Sequence, residues 1–293
     1  MTRRPRLIAF ALVAAFALSG CSTVGKINPF HGKSKSKDVA EGERIDVVVS
    51  DQKLQQAESL KGADFYLPAP AAVDAWPLPG RTPEQSTENV AISGGLSVAW
   101  RHGFGEGSSR GAHVTAPPIG ADGKVFVMDG AAKISALDAR SGREVWRTDI
   151  RPTEDKRDKV GFGGGLAYSD GKIYATSGFR VVAQLDAATG AVGWRTRTEQ
   201  PIHAAPTVAG GRVIAVAIDN TLLTFDAGSG APGWNYQALS EPARLIGASS
   251  PAVSGDTVVA SFGSGELVAL HIANGNDLWN EALSRASRTN ALS

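Results

Sequence analysis

Gly107-Ser108-Ser109-Arg110-Gly111 fits G-x-S-x-G, a spacing that can lift a nucleophilic serine onto a tight turn between a strand and a helix. That chemistry needs a helix directly after the serine, and nothing helical follows, so a glycine-serine loop between strands is expected. Gly161-Phe162-Gly163-Gly164-Gly165 has the glycine density of a phosphate cradle. It lacks the lysine and helix of a P-loop and the spacing of a dinucleotide site, and reads instead as a bend where strands approach closely. The histidines His31, His102, His113, His203 and His271 include no pair at i and i+4, and neither a zinc cluster nor an EF-hand aspartate pattern appears. Asp138, Asp186 and Asp226 could be imagined as catalytic carboxylates, but they recur at one place in successive repeats and would sit in separate units. A shared role in turns is expected. Cys21, the single cysteine, can form neither an internal disulfide nor a cysteine-based zinc site.

The elements that must position these residues follow from composition first. The chain has 293 residues, 42% hydrophobic and 20% charged, with 34 glycines, enough for one large domain or two ordinary ones. Wholesale disorder is excluded. The formal net charge of +1 gives no basic excess that would suggest nucleic acid as a partner. Arg3, Arg4 and Arg6 precede the apolar run 7–18, followed by Ser19-Gly20 and Cys21, the order of an export signal over residues 1–20. The run is too short to span a bilayer comfortably, which takes about 20 residues. Leu18-Ser19-Gly20-Cys21 resembles the bacterial lipobox, which implies cleavage before Cys21 and acylation there; a buried free cysteine is the alternative. Ser22 rather than Asp after the cysteine implies, in that pattern, an outer-membrane anchor facing the periplasm. Residues 21–44 carry Lys26, Lys33, Lys35 and Lys37 among serines and read as a flexible tether. Residues 45–84 form a lead-in, with short strands at 45–49 and 65–67, a possible helix at 52–60, and a proline-rich stretch from Pro68 to Pro83.

From residue 85 a repeat takes over. Trp100, Trp146, Trp194, Trp234 and Trp279 are spaced by 46, 48, 40 and 45 residues. Four residues before each of the last four stands a glycine, Gly142, Gly190, Gly230 and Gly275, closing a hexapeptide such as Leu137-Asp138-Ala139-Arg140-Ser141-Gly142. The Asp accepts from nearby backbone amides and the Gly takes the positive φ that closes the turn. The tryptophan then opens a strand and packs its ring between neighbouring sheets. Runs such as Val125-Phe126-Val127-Met128 and Ile173-Tyr174-Ala175-Thr176 supply strands entered through Asp-Gly turns, and Pro118, Pro206 and Pro251 introduce a further strand, giving four per unit. Residues 151–159 form a surface loop. A meander of this kind cannot bury its face alone, so units must stack radially. The fold class is all-β, a β-propeller of four-stranded antiparallel blades over 85–293.

The hexapeptide with Gly-x-x-x-Trp resembles the quinoprotein-type, PQQ-like propeller repeat. Together with the lipobox and Trp76-Pro77-Leu78-Pro79-Gly80, it resembles the BamB-type family of outer-membrane assembly lipoproteins, over nearly the whole chain after Arg44. That family usually has eight blades. Four clear repeats and a Trp100 strand are visible here, so the resemblance implies about four to five blades, an incomplete ring and a C-terminally shortened chain. A complete four-bladed ring is the competing arrangement. An open arc would leave strand edges and blade faces to be covered by another chain.

The family resemblance implies a non-catalytic scaffold without cofactor. It would bind the periplasmic domains of the barrel-forming assembly protein and help unfolded outer-membrane proteins reach the insertion site. The partner loop of the family falls on Ala243-Arg244-Leu245-Ile246-Gly247, where Leu245 and Gly247 match and Arg244 stands two positions from the expected arginine. Leu245 and Ile246 are either interface anchors or the start of a core strand. The first alternative is a quinoprotein dehydrogenase, which would enclose a quinone and calcium beneath a disulfide of adjacent cysteines that this chain lacks. The second is a periplasmic lipoprotein propeller binding a sugar polymer or a signalling partner.

Overall fold

The computed structural model describes residues 66–92, 94–109, 111–152, 161–239 and 249–283, together with 58, 61–62 and 64. Cys21, the leader 1–20, the tether 21–44, the strand expected at 45–49, the expected helix at 52–60 apart from residue 58, and the loop Arg244, Leu245, Ile246 and Gly247 lie outside the described residues. All strands of the described residues lie within Phe65–Ser293.

Among the described residues, sixteen strands form four antiparallel sheets. The first sheet is β1 (Ile119–Ala121), β2 (Lys124–Met128), β3 (Lys133–Asp138) and β4 (Glu144–Asp149). The second is β5 (Gly164–Ser169), β6 (Lys172–Ser177), β7 (Val181–Asp186) and β8 (Val192–Arg197). The third is β9 (Thr207–Ala209), β10 (Arg212–Val216), β11 (Thr221–Asp226) and β12 (Pro232–Gln237). The fourth is β13 (Ala252–Ser254), β14 (Thr257–Ser261), β15 (Glu266–His271) and β16 (Asp277–Ala282). Within each sheet the strands lie in sequence order, because hairpins join neighbours throughout. β1, β5, β9 and β13 approach one another in turn, so the first strands form the inner side of a fan and the last strands its outer side. This is an arc of a β-propeller with four blades.

The hairpins follow their turn residues. Asp122-Gly123 and Asp170-Gly171 both have positive φ at the two central positions, the type I′ geometry whose twist matches the strands. The second hairpin of each sheet repeats one left-handed residue, at Ala132, Arg180, Asn220 and Gly265. Only the last of these is glycine, so the other three are held there by the closing bond from their own N–H to the carbonyl three residues back. In all four sheets the third and fourth strands slip register just before the Asp or His turn, at Ala136/Leu137, Gln184/Leu185, Leu223/Phe225 and Ala269/Leu270. A bulge there re-aims the side chains of the outer strand.

Alternation assigns the faces. Phe126, Met128, Ile134 and Ala136 of the first sheet meet Leu166, Ile173, Ala175 and Leu185 of the second in one continuous core. Tyr174 and Val182 meet Val213, Ala215 and Phe225 of the third sheet. Ile214, Val216 and Leu222 meet Val258, Ala260, Val268 and Leu270 of the fourth. Each core is sealed by two sheets, which is why the repeat folds only as a stack.

Trp100 departs from expectation. It lies in irregular chain, with no ladder partner for 95–104 among the described residues. A strand needs a neighbour, and none of the strands among the described residues pairs with this segment. Tyr66 and Leu67, expected in a short extended piece, are likewise unpaired and exposed.

Candidate functional site

The repeated chemistry sits where one sheet hands over to the next. Asp138 Oδ1 accepts from the Ser141 N–H (2.8 Å) and the Ser141 hydroxyl (2.7 Å). Asp186 does the same with Thr189 (3.0 and 2.9 Å), and Asp226 with Ser229 (2.8 and 2.7 Å). These donors hold the carboxyls of Asp138 and Asp226 below the usual range, the serine hydroxyl acting most. Asp186 is lowered to about 2, first by Lys172, whose Nζ lies 3.0 Å from Oδ2, and then by Thr189. The three aspartates accept within their own turns, each on a separate blade.

The turns of the second, third and fourth blades each receive a tryptophan from the preceding blade. Trp146 Nε1 donates to the Ala187 carbonyl (3.1 Å), Trp194 to that of Ala227 (3.0 Å) and Trp234 to that of Ile272 (2.9 Å). The ring lies flat on the turn glycine: a Cβ on Gly190 would come within 2.6 Å of Trp146, and one on Gly230 or Gly275 within 2.5 Å of Trp194 or Trp234. With φ of 75°, 73° and 73°, these three positions require glycine for both backbone and space. Thr148 and Thr196 add hydroxyl donations to the Gly190 and Gly230 carbonyls (2.7 and 2.6 Å). In the third blade Tyr236 takes that place and donates to Glu266 Oε1 (2.8 Å), while the Leu239 N–H donates to Oε2 (2.9 Å). Burial, and then Glu266, push the Tyr236 hydroxyl up to about 12.

Trp100, though outside any strand, makes the same contact with the first blade. Its Nε1 donates to the Ala139 carbonyl (2.9 Å), and a Cβ on Gly142 would lie 2.5 Å from its ring. Trp279, at the other end, is 47% exposed and makes no such contact among the described residues. A closed ring of four would have joined Trp279 to the Asp138–Gly142 turn, but Trp100 holds that turn.

A second site escaped the sequence reading. Trp76-Pro77-Leu78-Pro79-Gly80 and the residues up to Gln85 form a strap along the inner strands of all four blades. Trp76 and Gly120 exchange backbone hydrogen bonds (2.7 and 2.9 Å), the Tyr168 N–H donates to the Pro77 carbonyl (2.7 Å), and the Val253 N–H donates to the Pro83 carbonyl (2.7 Å). Gln85 Nε2 donates to the Thr207 hydroxyl (3.0 Å) and the Pro251 carbonyl (3.3 Å). Leu78, within this strap, is buried. The inner side of the arc is therefore lined by the chain's own backbone.

The remaining candidates are structural. Ser109 pairs with Ala112 through its backbone and no helix follows it, so G-x-S-x-G forms no nucleophile elbow. The Gly161-rich stretch is a close crossing: a Cβ on Gly161 would lie 3.0 Å from Gly178 and Phe179. Phe162 sits between His113 and His203, with ring centroids 5.6 and 4.5 Å away, and burial lowers the His203 pKa. No three His, Cys, Asp or Glu side chains gather into a metal site among the described residues.

Comparison with known proteins then decides the family. Residues 130–293 match the model described as outer membrane protein assembly factor BamB. The chain belongs to the BamB family. Residues 86–171 also match the β-propeller domain of glucose/ethanol/alcohol dehydrogenases. The chain is 28% identical to BamB of Burkholderia pseudomallei over 60% of its own length and 44% of that protein's. To BamB of Nitrosomonas eutropha it is 28% identical over 57% and 39%. It thus spans under half the length of the curated relatives it matches. A quinohemoprotein alcohol dehydrogenase from Pseudomonas putida superposes with a TM-score of 0.60 at 20% identity, covering 71% of this chain and 40% of that one, a likeness of fold alone.

Proposed function

We propose that this BamB-family chain is a non-catalytic scaffold on the periplasmic face of the outer membrane. Lipid attached at Cys21 anchors it. It holds the periplasmic domains of the barrel-forming assembly protein through the loop containing Arg244, Leu245, Ile246 and Gly247, and so aids insertion of unfolded outer-membrane proteins. One observation carries the non-catalytic part beyond the family match. The strap 76–85 hydrogen-bonds to the inner side of all four blades, leaving rims and outer strands as the surfaces for recognition.

The dehydrogenase match over residues 86–171 favours a second reading, oxidation with a bound quinone and calcium. The residues present do not fit that group. The chain has one cysteine, and no cluster of three metal-ligating side chains forms among the described residues.

Capture from detergent-solubilised outer membranes tests the scaffold. Arg244→Glu combined with Leu245→Ala is expected to lower recovery of the barrel-forming partner roughly tenfold, the size of losing an interface anchor. Undiminished recovery overturns the role of this loop. Cys21→Ser is expected to move the protein from the membrane to the soluble periplasmic fraction, and retention in the membrane overturns the anchor. Saturable quinone binding with dye-linked alcohol oxidation would overturn the non-catalytic reading.

A further inference from the structure

Leu239, the last described residue of the third blade, is held through both of its backbone groups by side chains from elsewhere. Its N–H donates to Glu266 Oε2 (2.9 Å), and its carbonyl accepts from Asn220 Nδ2 (3.0 Å). Asn220 and Glu266 are both buried, and their other polar atoms are used as well. Asn220 Oδ1 accepts from the Gly263 N–H (3.2 Å), and Glu266 Oε1 accepts from the Tyr236 hydroxyl (2.8 Å). A buried polar network with every member satisfied resists movement, because any displacement leaves a desolvated group without its partner. Where the described chain resumes, the Ser249 hydroxyl donates to the Ser261 carbonyl (3.0 Å). The Pro251 carbonyl then accepts from the Thr207 hydroxyl (2.5 Å) and from Gln85 of the strap (3.3 Å).

Comparison among the blades shows that the hold on Leu239 is no part of the repeat. Ile150, Thr198 and Ala238 occupy one position, each donating its N–H to the carbonyl of the left-handed residue in its own blade's second hairpin. That residue is Ala132 in the first blade, Arg180 in the second, Asn220 in the third and Gly265 in the fourth. The third strands then begin with Lys133, Val181, Thr221 and Glu266. A blade therefore forms without an amide at the one place or a carboxylate at the other. Arg151, which stands where Leu239 does, gives its N–H to Asp149 of its own blade (2.8 Å). The third and fourth blades depart from their equivalents at two separate places, and the two departures meet on Leu239. What they add is a fixed point and direction from which the chain enters 240–248.

We propose that Asn220 and Glu266 are positioning residues for the partner loop, holding its root so that less freedom is lost when the barrel-forming assembly protein binds. This rests on the scaffold reading, which places the contact at Arg244, Leu245, Ile246 and Gly247. A surface ordered before binding gives up less conformational entropy on binding, and releasing one residue of backbone is worth about a factor of ten in affinity.

Titration of the full-length chain against the purified barrel-forming assembly protein, both in detergent, tests this. The substitutions come from the repeat itself: Asn220→Gly, the residue of the fourth blade, and Glu266→Thr, the residue of the third. Together they should weaken binding roughly tenfold and speed hydrogen exchange at the Leu239 amide, with exchange in the core strands unchanged. Glu266→Gln, the conservative change, should recover binding, since its amide oxygen accepts from Leu239 and its amide nitrogen donates to Tyr236. Gly171→Ala, a destabilising change in the second blade, should leave binding unaltered, which separates positioning from general loss of stability. If the paired substitution leaves binding intact while Arg244→Glu with Leu245→Ala lowers it, the positioning role is overturned and the loop reading stands. If both leave it intact, both are overturned. Binding weakened by the paired substitution but not by the loop variant also overturns the proposal, because the hold on Leu239 would then serve some other surface. So does weaker binding with unchanged exchange at Leu239, or a loss from Glu266→Gln as large as that from Glu266→Thr.

Discussion

Trp146 and Trp279 hold the same position in their repeats, pair with the same small residue of the neighbouring strand, and differ in what lies beyond them. Trp146 is 9% exposed, packs beside Phe126 at a ring separation of 5.9 Å, and is covered by the turn of the second blade; Trp279 is 47% exposed. The bulge and the glycine closing the turn before each tryptophan are alike, although His271 stands where the first blade has Asp138. What changes burial is the presence of a next blade. The residue type thus supplies a capacity for contact, and the turn of the next blade turns that capacity into stability at Trp146.

The sharpest way to break this comparison is to truncate both rings. Trp146→Ala should cost about 3–5 kcal/mol, since it removes a large buried ring and leaves a cavity over Gly190. Trp279→Ala should change stability by no more than about 0.5 kcal/mol, as for an exposed side chain. Denaturant titration at low protein concentration separates the two. Equal losses would mean that the terminal blade depends on its tryptophan as the inner ones do.

A smaller effect tests the turn beneath the ring. Gly190→Ala should cost about 2–4 kcal/mol, from left-handed backbone strain and overpacking against Trp146. Gly171 has a similar φ of 73° but nothing within 4 Å of an added Cβ, so Gly171→Ala should cost only the backbone part, about 1–2 kcal/mol. If thermal unfolding midpoints fell equally for both, crowding by the tryptophan would contribute nothing.

The repeat was legible in the sequence because its parts are local: an aspartate that accepts from amides three residues on, a glycine at positive φ, a tryptophan four residues later. Trp100 belonged to that spacing and does make the docking contact, yet its strand was not formed, because a strand is a property of two segments and spacing describes one. The strap was invisible for a related reason. Its contacts run through the carbonyls of Pro77 and Pro83 and through Gln85, partners separated from it by tens to more than a hundred residues and marked by no period. Ala132 and Arg180 sit in left-handed positions that usually announce themselves by glycine, so the second hairpins also gave no signal.

The smallest effect concerns protons, and it separates one turn from its equivalents. Asp186 is lowered to about 2, with Lys172 as the largest cause, while Asp138 and Asp226 are lowered chiefly by their own serine. A carboxylate depressed in the folded state contributes stability that is fully present above its ordinary value of 3.8 and is lost as pH falls through about 2. Acid should therefore loosen the second blade's turn at lower pH than an unpaired carboxylate would allow. Lys172→Met removes the main cause without touching the Thr189 donors, so the Asp186 midpoint followed by NMR should rise and its acid-sensitive window should move up with it. The fourth blade has His271 where the others have aspartate, and its turn closes through the Gly275 N–H on the His271 carbonyl (2.8 Å), so it has no carboxylate step at that place to lose. An Asp186 midpoint unmoved by Lys172→Met would leave the hydroxyl and amide donors as the whole cause, making the second turn the equal of the first and third.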